Sequence, residues 1–501
     1  MPTPIHDFVV IGAGSAGCAV AEGLVSNGAG SVLVIEAGPS DRWPLVRMPF
    51  GLVWMMGGRR DWQYKSAPQD GLGGRSIAIP RGRMVGGSGS INSMVWFPGQ
   101  ASDYDAWNVA GWSWADVAPA FEALENRIEP AQFKGAHPLT QQLSRLVGGN
   151  DTTPPSPERE SAGVFRFNMR NGRRWSAADA FLRPAIAKGA QLVQSTPVER
   201  IEVSGDRASA VILADGTKLA ARKGIVLSAG AIGTPELLLR SGIGPADDLR
   251  SAGIDPRVDL AGVGQNLHDH PGVGLHFHGP GSGYGLTPSL AHKWMGAPLQ
   301  WALTRKGVFA SPTVEGGAFF ASEGPGAEPD IQTHFIPFFM PLKGSKYQIG
   351  QGYFADACLC RPKSRGALRI TKSGLDIDLG LFRDDSDLDR LTKGLTRLRH
   401  LMANADFGPM KAPEVKPGPD VPDESLKDFV RANAGTAYHP VGTMQMGEGD
   451  APVTPRLKVR GLDGLWVADA SIMPSVTSAN TNAPAMMIGH RAGKMISEDA
   501  A

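Results

Sequence analysis

Near the N-terminus, Gly12-Ala13-Gly14-Ser15-Ala16-Gly17 places glycines at the spacing that a dinucleotide pyrophosphate requires. Gly12 permits a tight turn, Gly14 lets backbone amides approach phosphate at a helix N-terminus, and Gly17 lets that helix pack closely on a strand. Ser15 and Ala16 belong to the same turn and join the glycines as cofactor-contact candidates. Glu36 closes the next apolar run and can accept both hydrogen bonds of a ribose diol, with Ala37 beside it. A lone fingerprint in a chain of 64 glycines describes a surface turn as readily as a cofactor site. The flanking apolar runs and the well-placed acid make this one a dinucleotide signal, for nicotinamide and flavin cofactors alike.

Other constellations carry less chemistry. His268, His270, His276 and His278 alternate as residues on one strand face do, yet no carboxylate and thiolate set accompanies them in sequence, so no metal site is assigned. Cys358-x-Cys360 lacks the two intervening residues of a dithiol redox pair and reads as packing. The serine-hydrolase pattern Gly-x-Ser-x-Gly fails at Gly87-Ser88-Gly89-Ser90, which offers no glycine two residues beyond Ser88. Glu315 reads as a solvated or structural acid.

The elements that must position these residues follow from the apolar pattern. Phe8 to Ile11 forms a buried strand, a helix runs from Cys18 to Leu24, and Val32 to Ile35 forms a second strand, together a βαβ unit. Ile225-Val226-Leu227, followed by Ser228-Ala229-Gly230-Ala231-Ile232-Gly233, repeats the strand-and-turn pattern in mid-chain. Near the C-terminus Leu465 to Ala468 precedes Asp469, and a helix is expected over Ala485 to Ser497. Between these, Phe319 to Phe339 and Arg361 to Leu381 alternate as antiparallel strands would. The pattern predicts an α/β fold in which a Rossmann-like dinucleotide-binding domain is interrupted by an α+β substrate domain on an antiparallel sheet. The first is expected over residues 1–155, 190–290 and 430–501, the second over 156–189 and 291–429.

The 501 residues are too many for one ordinary core. With 42% hydrophobic and 20% charged residues and a formal charge of +1, the chain has a globular profile and lacks the basic stripe of a nucleic-acid binder. A small-molecule partner fits better. Three cysteines cannot build a disulfide framework, and no leader or membrane-length apolar run is recognisable, so a cytoplasmic protein is expected.

Four segments together resemble the glucose-methanol-choline (GMC) oxidoreductase family, in the branch of choline dehydrogenases and aryl- or hydroxymethylfurfural-type alcohol oxidases. They are the fingerprint with Glu36-Ala37-Gly38; Gly82-Arg83-Met84-Val85-Gly86-Gly87-Ser88-Gly89-Ser90-Ile91-Asn92 with Met94-Val95-Trp96; Ser228 to Pro235; and Tyr438-His439-Pro440-Val441-Gly442-Thr443 with Asp469-Ala470 and Asn480-Thr481-Asn482-Ala483-Pro484. The resemblance implies FAD as cofactor and oxidation of a CH-OH group, with an alcohol and molecular oxygen or another electron acceptor as reaction partners. Its implied cofactor contacts are Val85, Gly87, Ser88, Asn92, Met94 and Val95, then Val198, Ala229 and Gly230, and finally Asp469, Ala470, Asn482 and Ala483. Some relatives attach FAD through a histidine where this chain has Ile91, so dissociable FAD is expected.

By the same resemblance His439 is the base that takes the hydroxyl proton as hydride leaves for flavin N5, and Asn482 is its partner at the substrate oxygen. An imidazole with an unperturbed pKa near ~6.5 suits that task at neutral pH. Tyr438, adjoining the base, and Phe335 and Phe339 are the candidate walls of a pocket for aromatic, furanic or pyridine alcohols. Small residues at Val95 and Ala437, expected near the isoalloxazine, favour access by oxygen, and His490 stands where relatives often carry an acid. The alternatives are a choline-type dehydrogenase, a nonoxidative flavoprotein of the same fold (a lyase or photodecarboxylase) and, more distantly, an NAD-dependent reductase.

Overall fold

A run such as Phe8-Val9-Val10-Ile11, with no polar position on either face, suits only the centre of a parallel sheet covered on both sides. An alternating run such as Pro271-Gly-Val-Gly-Leu-His-Phe-His suits an antiparallel sheet with one face open. The computed structural model, which describes residues 5–147, 153–340 and 349–500, contains one large sheet of each kind. In chain order the elements that matter here are β1 (Ile5–Ile11), α1 (Ser15–Ser26), β2 (Val32–Ile35), β3 (Ser161–Val164), β4 (Gln191–Val193), β5 (Val198–Ser204), β6 (Arg207–Leu213), β7 (Lys218–Leu227) and α2 (Gly230–Arg240). They continue with β8 (Pro271–His278), β9 (Gly316–Phe320), β10 (Ile331–Ile336), β11 (Gly350–Leu359), α3 (Asp385–Asn404), β12 (Glu414–Lys416), β13 (Gly435–Thr436), β14 (Leu465–Val467) and α4 (Asn482–Asp499).

The first sheet has the order β4-β2-β1-β7-β6-β5, with β14 also paired to β7. Its inner pairs, β1 with β2 and β7, and β7 with β14, are parallel, and β5 and β6 append an antiparallel edge. The C-terminal ends of β1, β7 and β14 therefore lie side by side, and the turns that follow them converge on one place, where open α/β sheets bind their ligands. Gly17 meets its expected role there: a Cβ on it would lie 2.0 Å from the Gly12 carbonyl oxygen.

The second sheet is antiparallel, in the order β12-β8-β11-β10-β9-β3, with β13 also paired to β8. The helix α3 packs its buried leucines, Leu388, Leu391, Leu395 and Leu398, against the core. Two segments depart from the expected division. Residues 271–278 fall inside the range assigned to the cofactor domain, yet as β8 they form an interior strand of the second sheet; β13 joins them there. The alternating burial of β8 is the signature that reveals it. The helix expected over Ala485 to Ser497 extends from Asn482 to Asp499, and the stretch from Arg361 to Leu381 forms its own hairpin, Ala367–Thr371 with Gly374–Asp378, outside the larger sheet. Among the described residues no helix is long and apolar enough to cross a membrane. Cys18, Cys358 and Cys360 are buried and unbridged.

Candidate active site

A cavity of about 970 Å³ is lined by residues of both sheets. At one end the turn after β1 presents Gly12, Gly14, Ser15 and Ala16, and Glu36 and Ala37 follow β2. Glu36 Oε2 accepts from the Ala13 N–H at 2.9 Å and Oε1 from the Gly38 N–H at 2.8 Å. Each oxygen keeps a lone pair free, which is what a ribose diol needs. Burial pushes the Glu36 carboxyl up to about 7, against the two backbone hydrogen bonds that favour its ionised form.

The turn from Gly87 to Ser90 lies against the first glycine turn so closely that a Cβ on Gly87 would sit 2.8 Å from the Gly14 Cα, and Gly87 itself is left-handed at φ +53°. Buried Arg174 supports it by donating to the Gly89 carbonyl at 3.1 Å and to Asn92 Oδ1 at 2.7 Å. From β14, Asp469 accepts from the Gly230 N–H at 2.8 Å and from Thr234 Oγ1 at 2.6 Å, tying the starts of α2 and the last turn together. Gly87, Ser88, Asn92, Met94, Val95, Val198, Ala229, Gly230, Asp469, Ala470 and Asn482 all line the cavity, as does Ile91. Gly17, Val85 and Ala483 do not: Val85 is buried and bonded through its N–H to the Pro39 carbonyl, and Ala483 is buried in the first turn of α4. Asn482 accepts from Ser15 Oγ at 2.6 Å, while its Nδ2 is buried without a partner. That orphaned donor, the bare glycine turns and the two-handed Glu36 fit an elongated polar cofactor of the FAD kind.

At the other end stands His439. Its segment runs antiparallel to residues 268–271: the Ala437 N–H donates to the His270 carbonyl at 2.9 Å and the Val441 N–H to the His268 carbonyl at 3.0 Å. The His439 N–H itself donates to Asp269 Oδ1 at 2.8 Å, and Arg81 donates to the carbonyl of Tyr438, a residue held left-handed at φ 65°. The imidazole thereby faces the cavity with Nδ1 3.1 Å from His270 Nδ1. Burial first, then the neighbouring His270, His334 and Arg81, hold its pKa well below the ordinary histidine range, so the ring is neutral and can accept a proton.

The residue that meets His439 is Asn480, not Asn482. Asn480 Nδ2 lies 3.2 Å from His439 Nε2 and 3.3 Å from His334 Nε2, and its Oδ1 accepts from Gln332 Nε2 at 3.0 Å. Asn482 opens α4 and turns toward Ser15, while Asn480 lies before the preceding Thr481 and faces the second sheet. Sequence reasoning missed Asn480 and His334 as site residues. The asparagines are two apart in one motif, and His334 sits in a strand whose apolar neighbours mask it.

Phe335 and Phe339 do not line the cavity. On β10, His334 and Ile336 face it, so alternation turns Phe335 away, into contact with Tyr353 at 5.6 Å between ring centroids. Phe339 stacks on His278 at 4.2 Å. Phe338, Phe354, Met340 and the partly exposed Tyr438 form the aromatic and apolar wall instead, with Arg81 and Lys416 among the lining cations. Glu315 lies outside it, fully buried and accepting from Ser311, Thr140 and the His137 N–H. The four histidines of the 268–278 stretch disperse: His268 accepts from the Val476 N–H, His270 meets His439, His276 packs on Phe354 and His278 on Phe339.

Two family models described as GMC oxidoreductase match residues 6–272 and 362–489. An oxygen-dependent choline dehydrogenase of Rhizobium etli is 36% identical over 98% of this chain and 95% of its own length, and one of Brucella suis biovar 1 is 34% identical with the same coverage. Among solved structures, pyridoxine 4-oxidase from Mesorbium loti is similar with a TM-score of 0.85 at 27% identity, covering 97% of this chain and 98% of that one. A fungal aryl-alcohol oxidase shares the fold, with a TM-score of 0.82 at 23% identity over 99% of each chain. With the glycine turns, the acid after β2 and the histidine end arranged around one cavity, the chain belongs to the GMC oxidoreductase family, FAD-dependent enzymes that act on CH-OH donors.

Proposed function

We propose that this enzyme oxidises a small primary alcohol to the aldehyde, with an aromatic, furanic or pyridine alcohol preferred and His439 as general base. The observation that carries this reading is the meeting of His439 Nε2 and His334 Nε2 on one carboxamide, that of Asn480, inside the cavity. A hydroxyl entering there can donate its proton to the neutral His439 while Asn480 donates to the same oxygen and holds it in place. Bound FAD supplies the hydride acceptor. Asn482, beside Ser15, belongs on this reading to the cofactor, which is held without a covalent bond because Ile91 offers no nucleophile.

Phe338, Phe354 and Tyr438 support a flat substrate, and the similarity to pyridoxine 4-oxidase agrees with it. The relatives named as choline dehydrogenases support a quaternary-ammonium alcohol instead. Glu315 is withdrawn from the cavity, so on that second reading Asp356, which lines it beside Arg81 and Lys416, is the carboxylate that a cation would meet.

Anaerobic mixing of the purified yellow protein with benzylic, furanic, pyridoxine-like and choline alcohols tests both. Bleaching by a flat alcohol at a lower concentration than choline is the expected result, and the reverse order transfers the assignment to choline. No bleaching by any alcohol, with FAD bound, would point to a nonoxidative flavoprotein. Return of colour with peroxide on admitting air identifies an oxidase. His439→Gln is expected to slow bleaching by about 10²-fold or more, the typical share of a positioned base.

A further inference from the structure

Beside His334 stands a carboxylate that also reaches the cavity wall. The ladder that pairs Gln332 with Cys358 and Phe335 with Ala355 sets His334 on β10 across from Asp356 on β11. Asp356 Oδ1 accepts from the His334 N–H at 2.6 Å, and both carboxylate oxygens lie 3.2 Å from His334 Nδ1. Cys358, two residues along the same strand, brings its sulfur to 3.7 Å from that nitrogen. On the neighbouring strand β8 the position beside Cys358 is Gly272, where a Cβ would lie 2.7 Å from the sulfur, so the glycine clears room for the cluster.

Most members of this network can turn over. Asn480 and Gln332 are amides whose oxygen and nitrogen exchange by rotation, and Gln332 Oε1 is buried without a partner. Each imidazole can carry its proton on either nitrogen. A carboxylate has no such choice, because it only accepts. We infer that Asp356 is a positioning residue that sets the direction of every hydrogen bond from His334 through Asn480 to His439, leaving His439 Nε2 unprotonated, an acceptor for Asn480 at rest and for a substrate hydroxyl that takes its place. Asp356 takes the proton-bearing Nδ1 of His334, so His334 Nε2 presents a lone pair and must receive an N–H of Asn480. The same amide nitrogen then turns its other hydrogen to His439 Nε2, and His439 keeps its proton on Nδ1, toward His270. Reversing any one bond would set donor against donor or acceptor against acceptor and leave both groups unsatisfied. The inference rests on the reading of His439 as base and explains what keeps it in the receptive tautomer, as a buried carboxylate does for the histidine of a hydrolase triad.

Nitrogen-15 NMR of histidine-labelled holoprotein tests this, with His334 and His439 assigned from the signals lost in His334→Gln and His439→Gln. Both residues are expected with Nδ1 protonated and Nε2 bare. In Asp356→Asn, whose amide can donate or accept, both should become tautomeric mixtures, and anaerobic bleaching by alcohol should slow about tenfold with little change in the concentration needed for half-maximal rate. In Asn480→Ala, which cuts the chain, adding Asp356→Asn should leave the bleaching rate within about twofold, since a residue acting only through the network has nothing left to act on. A wild-type His439 protonated on Nε2, or equal cost of Asp356→Asn in both backgrounds, overturns the proposal. Should Asp356→Asn fail to fold, the wild-type tautomers and those of Asn480→Ala still decide it, the latter expected to keep His334 unchanged and release His439. The tautomer measurement needs no substrate, so it stands even where no alcohol bleaches the flavin.

Discussion

Asn480 carries two hydrogens on one nitrogen and meets an imidazole with each, while Asn482 spends its oxygen on Ser15 and leaves its nitrogen bare beside the glycine turn. Two asparagines of one motif are therefore divided between two tasks, and truncation should separate them. Asn480→Ala is expected to retain FAD and to slow bleaching by alcohol at least tenfold. Asn482→Ala should instead lose a large share of its FAD on gel filtration, while the flavin that remains is reduced at close to the native rate. Flavin-to-protein absorbance ratios together with stopped-flow traces check both, and a rate defect in Asn482→Ala with full FAD occupancy would return it to the substrate oxygen. That His439 and the glycine turns would line one cavity was legible in the sequence because they sit in motifs whose residue types are tied to a task. The choice between Asn480 and Asn482 was not, since it depends on where α4 begins: Thr481 precedes the first turn, so a shift of two residues carries a side chain from one face of the cavity to the other. His334 and Asp356 were hidden for another reason. Their partnership is across a strand pair, and a β ladder joins residues with no fixed sequence spacing.

At the scale of elements, the cofactor end is built by turns that can be packed together only without side chains. Gly87 combines a left-handed backbone with a Cβ direction that points at the Gly14 Cα, so two independent penalties fall on any substitution. Gly87→Ala is expected to yield folded but largely colourless protein, because the cheapest relief is separation of the two turns that line the cofactor cavity. Far-ultraviolet circular dichroism and bound-flavin content measure the two outcomes separately, and a yellow variant with native FAD content would show that the turns yield without disturbing the site. The βαβ unit and the mid-chain turn were readable because parallel central strands are continuous apolar runs. The edge of the second domain was misplaced at β8, where the glycines and histidines of Pro271–His278 dilute the apolar signal and only the period of two remains.

Across the whole molecule, the acid response is set by how many buried groups must change charge. Burial holds His268 and His270 at about 3 and His137 and His276 at about 4, and keeps His439 well below its ordinary range. In the unfolded chain these rings titrate near ~6.5. Below that pH the unfolded state binds more protons than the folded state at all five positions, so each contributes stability that is lost as the pH falls. Six acids oppose them, and in Asp103, Glu236 and Asp469 burial likewise raises the carboxyl above its ordinary value. Burial pushes Asp269, Glu315 and, without its cofactor, Glu36 up to about 7, so between their ordinary values near ~4 and that point the folded state holds the extra proton and gains stability as the pH falls. Burial lowers His6 and His490 as well, so seven histidines stand against six acids, of which three are pushed as far as about 7. The melting temperature should therefore be highest near neutral pH and several degrees lower at about pH 5, with the acids softening the decline without reversing it. Thermal unfolding across that window, followed by protein circular dichroism with flavin release recorded in parallel, measures the slope. Because His439 and His270 are among the groups that must charge, the same acidification should pull the substrate end apart before the glycine turns, and flavin reduction by alcohol should fail at a higher pH than flavin retention.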